Sequence, residues 1–252
     1  MPDRLDALKA SAARLRTLVG GLSTEQLTMQ SYDSEWTIAD VLSHIGSGAV
    51  IMRNGVDAAV SGKPADPGFN QSVWDEWNAK SPADQAADVL VSDEALIERL
   101  DALTEGQRDA LHYSMGPMQI DFDTLVGLRL NEHVLHSWDV AVALRPDETL
   151  PNDAAAVVID NLSMIAGFAG RSDGVERTIA IATTSPERLF ALTVDAERVS
   201  LSPGSQSVDA SLELPAESFI RLVYGRLDPG HTPSTVADDT TLDQLRRLFP
   251  GV

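Results

Sequence analysis

The chain contains no cysteine among its 252 residues. Disulfides, a cysteine nucleophile and thiolate metal ligands are excluded, so any thiol chemistry must use a thiol supplied from outside. Positive charge is scarce too: 19 Lys and Arg stand against 38 Asp and Glu, a formal net charge of −19. A surface this acidic repels phosphate backbones and anionic lipids, which argues against nucleic-acid and membrane-surface partners. No uninterrupted apolar run reaches transmembrane length. The Met1 end, MPDRLDALKASAARLRTLV, lacks the apolar core of a signal peptide, and the expected compartment is the cytoplasm. Internal repeats and low-complexity segments are also missing. What is present is an ordinary 43% of hydrophobic residues, enough for a globular chain with one large or two modest domains.

Hydrophobic periodicity divides the chain in two. Leu5, Leu8, Ala12, Leu15 and Leu18 recur at helical spacing over residues 3–20. Thr37 followed by Asp40 is a capping-box variant that starts a second helix, 37–60, and the stretch SGKPADPGFN ends it. Helical patterns return over 83–104 and 121–144. Four amphipathic helices of this length predict a four-helix bundle over 1–145, with long connections between helices two and three and between three and four. Beyond the proline-bearing RPDETLPND, one helix (153–169) leads into alternating runs at 177–184, 188–195, 198–203 and 207–214. A helix at 215–226, with Pro215 in its first turn, and a last one through DDTTLDQLRRLFP complete the chain. Residues 151–252 are therefore expected to form a smaller α+β domain with a mostly antiparallel sheet, and the whole chain a two-domain α+β protein.

The fourth helix carries the chemistry. Placed at 100° per residue, Leu125, Leu128, Glu132, His136, Asp139 and Ala143 fall within about 60° of one another. Glu132 and His136 are thus one turn apart on one stripe, either as a hydrogen-bonded pair or as two metal ligands. Asp139, three residues beyond His136, can accept a hydrogen bond from the ring nitrogen that faces away from a metal. The third ligand is expected to be His44, in DVLSHIGSG on the second helix, with Gly48 removing bulk beside the imidazole. His44, Glu132 and His136 would make a two-histidine, one-carboxylate site with an open position. Alone, a histidine on a partly apolar helix face is more often a satisfied boundary residue. His133 is expected at the edge, as an outer group or on the surface. Trp74 and Trp77, in the loop NQSVWDEWNAK, either wall a cleft or anchor their loop. His112 and His231 are assigned no role.

EWTIADVLSHIGS, followed roughly ninety residues later by Glu132 and His136 in NEHVLHSWDVAVAL, resembles the mycothiol-dependent maleylpyruvate isomerase family of actinobacteria. The likeness rests on Trp36, Asp40, Val41, Leu42 and His44 on helix two, on Glu132, His136 and Asp139 on helix four, and on LELPAESFIRLVYGR near the end. It implies a DinB-like bundle with a smaller C-terminal α/β domain. It also implies a divalent metal, zinc first among zinc, nickel and manganese, held by His44, Glu132 and His136. Mycothiol would be the thiol cosubstrate, with its sulfur on the metal as a thiolate. By the same likeness, addition of that thiolate to a cis-enedione acid, rotation and elimination give the trans isomer, whereas transferase relatives release the adduct. Arg226, in YGR, is the residue the likeness offers as a substrate-carboxylate anchor; a cation favoured by the helix C-terminus is the alternative. A thiol-independent metallohydrolase and a non-catalytic metal-binding or regulatory protein stay open on the same scaffold.

Overall fold

A computed structural model describes residues 3–116, 118–204, 209–236 and 240–251. The expected strand and helix starts at Ser207, Val208, Asp238 and Asp239 lie outside them. The chain divides into two compact units, Met1–Glu148 and Thr149–Val252.

In the first unit the elements run α1 (Arg4–Gly20), α2 (Thr24–Leu27), α3 (Ile38–Ser61), α4 (Phe69–Asn78), α5 (Pro82–Asp101), α6 (Glu105–Asp109), β1 (Tyr113–Met115), β2 (Met118–Ile120) and α7 (Phe122–Leu144). Each long helix starts where a side chain can satisfy its free N–H groups. Asp3 caps α1, Ser81 caps α5 and Asp121 caps α7. Thr37 and Asp40 close a reciprocal capping box on α3. The bundle is α1, α3, α5 and α7: α3 packs on α5 and α7, and α1 packs on the same two. Leu15, Ile38, Leu42, Ile45, Val89 and Val140 are among the residues filling its core.

The connections are more structured than periodicity predicts. NQSVWDEWNAK is not a loop but α4, docked on α3 by Trp77. A Cβ built on Gly46 would lie 2.1 Å from Trp77 Cη2, so the indole occupies the space the glycine leaves open. Between α5 and α7, the short helix α6 and the antiparallel hairpin β1–β2 replace an expected unstructured stretch. Tyr113 of β1 lies over Gly55 of α3 in the same manner, 2.5 Å from a Cβ built there. Both additions land where α3 lacks a side chain.

In the second unit α8 (Asn152–Val158), a 3₁₀ turn (Ile159–Asn161) and α9 (Leu162–Ala169) precede β3 (Arg177–Thr184), β4 (Arg188–Val194), β5 (Val199–Pro203), β6 (Ala210–Pro215), α10 (Ala216–Val223) and α11 (Thr240–Leu248). The single helix expected over 153–169 is therefore broken. Asp160 and Asn161 are poor mid-helix residues, and Asp160 is drawn into an ion pair with Arg188 at 2.8 Å. The sheet order is β5-β4-β3-β6, antiparallel except for the parallel β3–β6 pair. Ile179, Ile181, Leu192, Leu212 and Leu214 are buried in the sheet, as are Phe219 and Ile220 of α10, and Phe190 meets Phe219 with ring centroids 5.6 Å apart. Pro215 ends β6, opposite Thr184, and stands just before the first turn of α10 without a side-chain capping bond. That helix stops at Val223, short of the expected residue 226, because Gly225 turns the chain at φ +70°, a conformation open to glycine. Among the described residues no helix is long and apolar enough to cross a membrane.

Candidate metal centre

His44 reaches the centre from the second turn of α3, and Glu132 and His136 reach it from successive turns of α7. His44 Nε2 lies 3.3 Å from Glu132 Oε2, and His136 Nε2 lies 3.4 Å from the same oxygen. One ligand atom from each of the three falls within 4.8 Å of the others. The imidazoles meet edge to face, 4.6 Å between centroids.

The stripe carrying these groups is only partly core: Leu125 and Asp139 on it are buried, but its middle is open. Glu132 and His44 side chains are 49% and 41% exposed, while Leu130, Val134 and Leu135 on other faces are buried. Glu132 and His136 thus line an opening on the bundle. Trp36 roofs it: its ring sits 5.1 Å from the His44 ring and stacks at 6.2 Å on that of His136. The loop before α3 fixes that roof, because the Trp36 carbonyl accepts hydrogen bonds from Ser31 N (2.9 Å) and Ser31 Oγ (2.8 Å). Tyr32 N donates to the Asp139 carbonyl, tying the loop to α7.

Asp139 is buried, and its Oδ2 lies 2.9 Å from His136 Nδ1. A carboxylate there requires a proton on Nδ1, which directs Nε2 toward the cluster as the other nitrogen. Burial alone would lower the His136 pKa, but hydrogen bonds to Asp139 and Glu132 raise it above the ordinary histidine value. Partial desolvation by the surrounding protein pushes the half-exposed Glu132 carboxyl up, and the hydrogen bonds from the His136 and His44 imidazoles outweigh it, holding that carboxyl below the usual carboxylate range.

Beside His44 opens a cleft of about 450 Å³ with Glu35, Trp36, Asp40, Ser47, Trp74 and Asn78 in its walls. Trp74, 46% exposed, walls the cleft, and Trp77 is the anchor. No Lys or Arg lines it among the described residues.

Periodicity misplaces two groups. His133 is not at an edge or on the surface: it is fully buried, its Nδ1 2.9 Å from Ser11 Oγ and its Nε2 2.8 Å from Asp93 Oδ2. The space beside Gly48 is taken by a guanidinium rather than by His44. A Cβ there would sit 3.2 Å from Arg129 Nη1, and Arg129 Nη2 donates to Asp93 Oδ1 (2.6 Å) and to the Ile45 carbonyl (2.9 Å). Burial pushes the Asp93 carboxyl up, but Arg129 and His133 outweigh it and hold it below the ordinary value. The signal was present: Arg129 is a lone cation in the apolar run LVGLRL, and a buried cation needs a buried partner.

Arg226 belongs to the second unit. It is 9% exposed, and its Nη1 donates to the Tyr224 carbonyl at 3.0 Å. Its neighbour Arg221 is more deeply buried, with Nε 2.8 Å from Glu217 Oε2 and Nη1 donating to the His231 carbonyl.

A family model described as the mycothiol maleylpyruvate isomerase N-terminal domain matches residues 8–141. Among solved structures, the crystal structure of the mycothiol-dependent maleylpyruvate isomerase is 15% identical, with 95% of each chain covered and a TM-score of 0.68. A histidine-to-alanine mutant of that isomerase is 14% identical over the same coverage, with a TM-score of 0.67. No curated protein sequence matches.

Proposed function

Because the chain belongs to the mycothiol maleylpyruvate isomerase N-terminal domain family, we propose that it is a metal-dependent enzyme. It would activate mycothiol for cis–trans isomerisation of, or S-transfer to, a small electrophilic acid such as maleylpyruvate. The reading is carried by the convergence of His44, Glu132 and His136 inside the matched segment.

The donor set fits a divalent ion. Ligand atoms about 2.0–2.2 Å from one tetrahedral zinc lie roughly 3.3–3.6 Å from each other. The two separations from Glu132 Oε2, 3.3 and 3.4 Å, match that edge. The third pair of ligand atoms lies within 4.8 Å, so the three groups are gathered closely enough to share one ion. Two imidazoles and one carboxylate favour zinc, and they also suit nickel or manganese.

When bound, the ion supplies the charge that holds an incoming thiol as a thiolate at neutral pH. The chain's own groups do the rest. Asp139 keeps the His136 proton on Nδ1, so that Nε2 is free for ligation. Trp36 stacks on the His136 ring and packs at a tilt against that of His44, and the polar cleft beside His44 admits the hydrophilic body of the cosubstrate. A substrate carboxylate needs a cation that this cleft does not offer, and we assign that part to Arg226, whose planar fork suits a carboxylate.

The test is turnover of maleylpyruvate by the purified protein, stripped of metal or reloaded with zinc, nickel or manganese, with and without mycothiol. Activity that needs both metal and thiol supports the reading. Activity with metal but no thiol makes the protein a metallohydrolase, and metal binding without turnover leaves a binding protein. Full activity in Arg226→Ala removes the carboxylate anchor alone.

A further inference from the structure

The three proposed ligands come from two helices, and their spacing is only as good as the gap between α3 and α7. Zinc tolerates ligand distances within about 0.2 Å of ideal. Something must therefore set that gap more tightly than aliphatic packing does.

We propose that Arg129 is the positioning residue that fixes it, by clamping the backbone of α3 beside His44 from the turn of α7 beside Glu132; the inference rests on the metal reading above. Its place in the fold is the argument. On α7, Arg129 lies three residues before Glu132, about 4.5 Å along the axis. Its Nη2 donates at 2.9 Å to the carbonyl of Ile45, the residue next to His44. Its Nη1 lies in the space left by Gly48, where a Cβ would come within 3.2 Å. Asp93 of α5 holds the same Nη2 at 2.6 Å, and Asp93 is itself fixed by His133, which Ser11 of α1 holds in turn. One guanidinium thus connects the His44 turn to the Glu132 turn and is braced by the other two bundle helices. It is too buried, at 4% exposure, to meet substrate.

A stability role alone makes a different prediction, and one double variant separates the two. In Arg129→Met/Asp93→Asn neither buried charge is left without its partner, and the amide that replaces the carboxylate still meets His133. Replacing both members of a buried ion pair is often close to neutral for folding, so the metal-free double variant should melt near the wild type. It has lost the clamp on Ile45, so zinc should bind roughly 10–100-fold more weakly, the usual effect of losing a group that orients ligands. Cobalt(II) substituted for zinc should show a shifted visible absorption. Gly48→Ala keeps both charges and displaces the guanidinium by a few tenths of an ångström; it should shift the cobalt spectrum with a smaller loss of affinity.

Wild-type protein and His44→Ala are measured alongside. Wild-type protein that binds no zinc overturns the metal reading and this inference with it. Wild-type binding, with the same zinc affinity and cobalt spectrum in the folded double variant, overturns the role of Arg129 alone. If the double variant does not fold, an unchanged affinity and spectrum in Gly48→Ala do the same.

Discussion

Gly46→Ala sets two opposing effects against each other at the landing site of α4. Alanine favours a helix interior over glycine by about 1 kcal/mol, and on that ground alone the change stabilises α3. The new methyl, however, would lie 2.1 Å from Trp77 Cη2 and 2.4 Å from Cζ3. Ordinary carbon contacts begin near 3.5 Å, so the ring must retreat by more than an ångström. Trp77 is 3% exposed and its carbonyl accepts a hydrogen bond from Gln85 Nε2, so a shift of the ring must push on packed neighbours. Overpacking of this kind costs about 1–3 kcal/mol, and so close an overlap puts it at the upper end. The net is a loss of about 2 kcal/mol, or roughly a 4–8 °C fall in melting temperature for a unit of this size. All four tryptophans, Trp36, Trp74, Trp77 and Trp138, lie in the first unit, so tryptophan fluorescence during thermal or urea unfolding reports that unit selectively. Trp77→Ala removes the obstacle, and in that background Gly46→Ala should turn stabilising by about 1 kcal/mol. A rise in melting temperature for Gly46→Ala in the otherwise intact protein would refute the reasoning and mean that α4 is only loosely docked.

Further measurements probe the centre and its surroundings. His136→Ala should strip zinc from the purified protein, and Asp139→Asn should weaken binding by about 10–100-fold, both read by metal analysis and competition with a chelator. Zinc must displace any proton on His136 Nε2, and the His136 pKa is raised, so affinity should fall as pH drops below that value and level off above it; a flat profile across the histidine range would contradict this. Asp93 is a lowered carboxyl, so its contribution to stability is present above the unfolded carboxylate pKa and is lost as pH falls through the lower folded value. Acid unfolding of the wild type should therefore be steeper than that of Arg129→Met/Asp93→Asn, and parallel acid limbs would show the pair to be inert. Arg221→Ala strands a buried Glu217 and should cost about 3–5 kcal/mol, measured by circular dichroism of the sheet-bearing second unit.

The parts of this protein that a sequence displays are those with a local period or a local cap. Leu5, Leu8 and Leu15 mark α1 because they repeat, Thr37 and Asp40 mark the start of α3 because their bonds close within four residues, and Glu132 with His136 are legible as a pair because one helical turn joins them. His44 could be added only as a histidine on a second helix able to face the bundle, since nothing local connects it to residues about ninety positions away. What stayed hidden depends on pairs that are distant in the chain and silent in pattern. α4 and the β1–β2 hairpin are short elements held by Trp77 on Gly46 and Tyr113 on Gly55, and a helical glycine by itself reads as a weakness rather than as a socket. The wheel of α7 alone sent His133 to an edge, because burial there is decided by Ser11 and Asp93, which belong to two other helices. A wheel also assumes one buried face, whereas α7 is buried nearly all round and opens to solvent along Leu128, Glu132 and His136. A helix enclosed on its other faces has little reason to keep one narrow polar stripe open unless that stripe meets something from outside. Glu132 is the exposed residue in the middle of an otherwise largely enclosed helix, and that exposure agrees with the candidate site that the motif picks out.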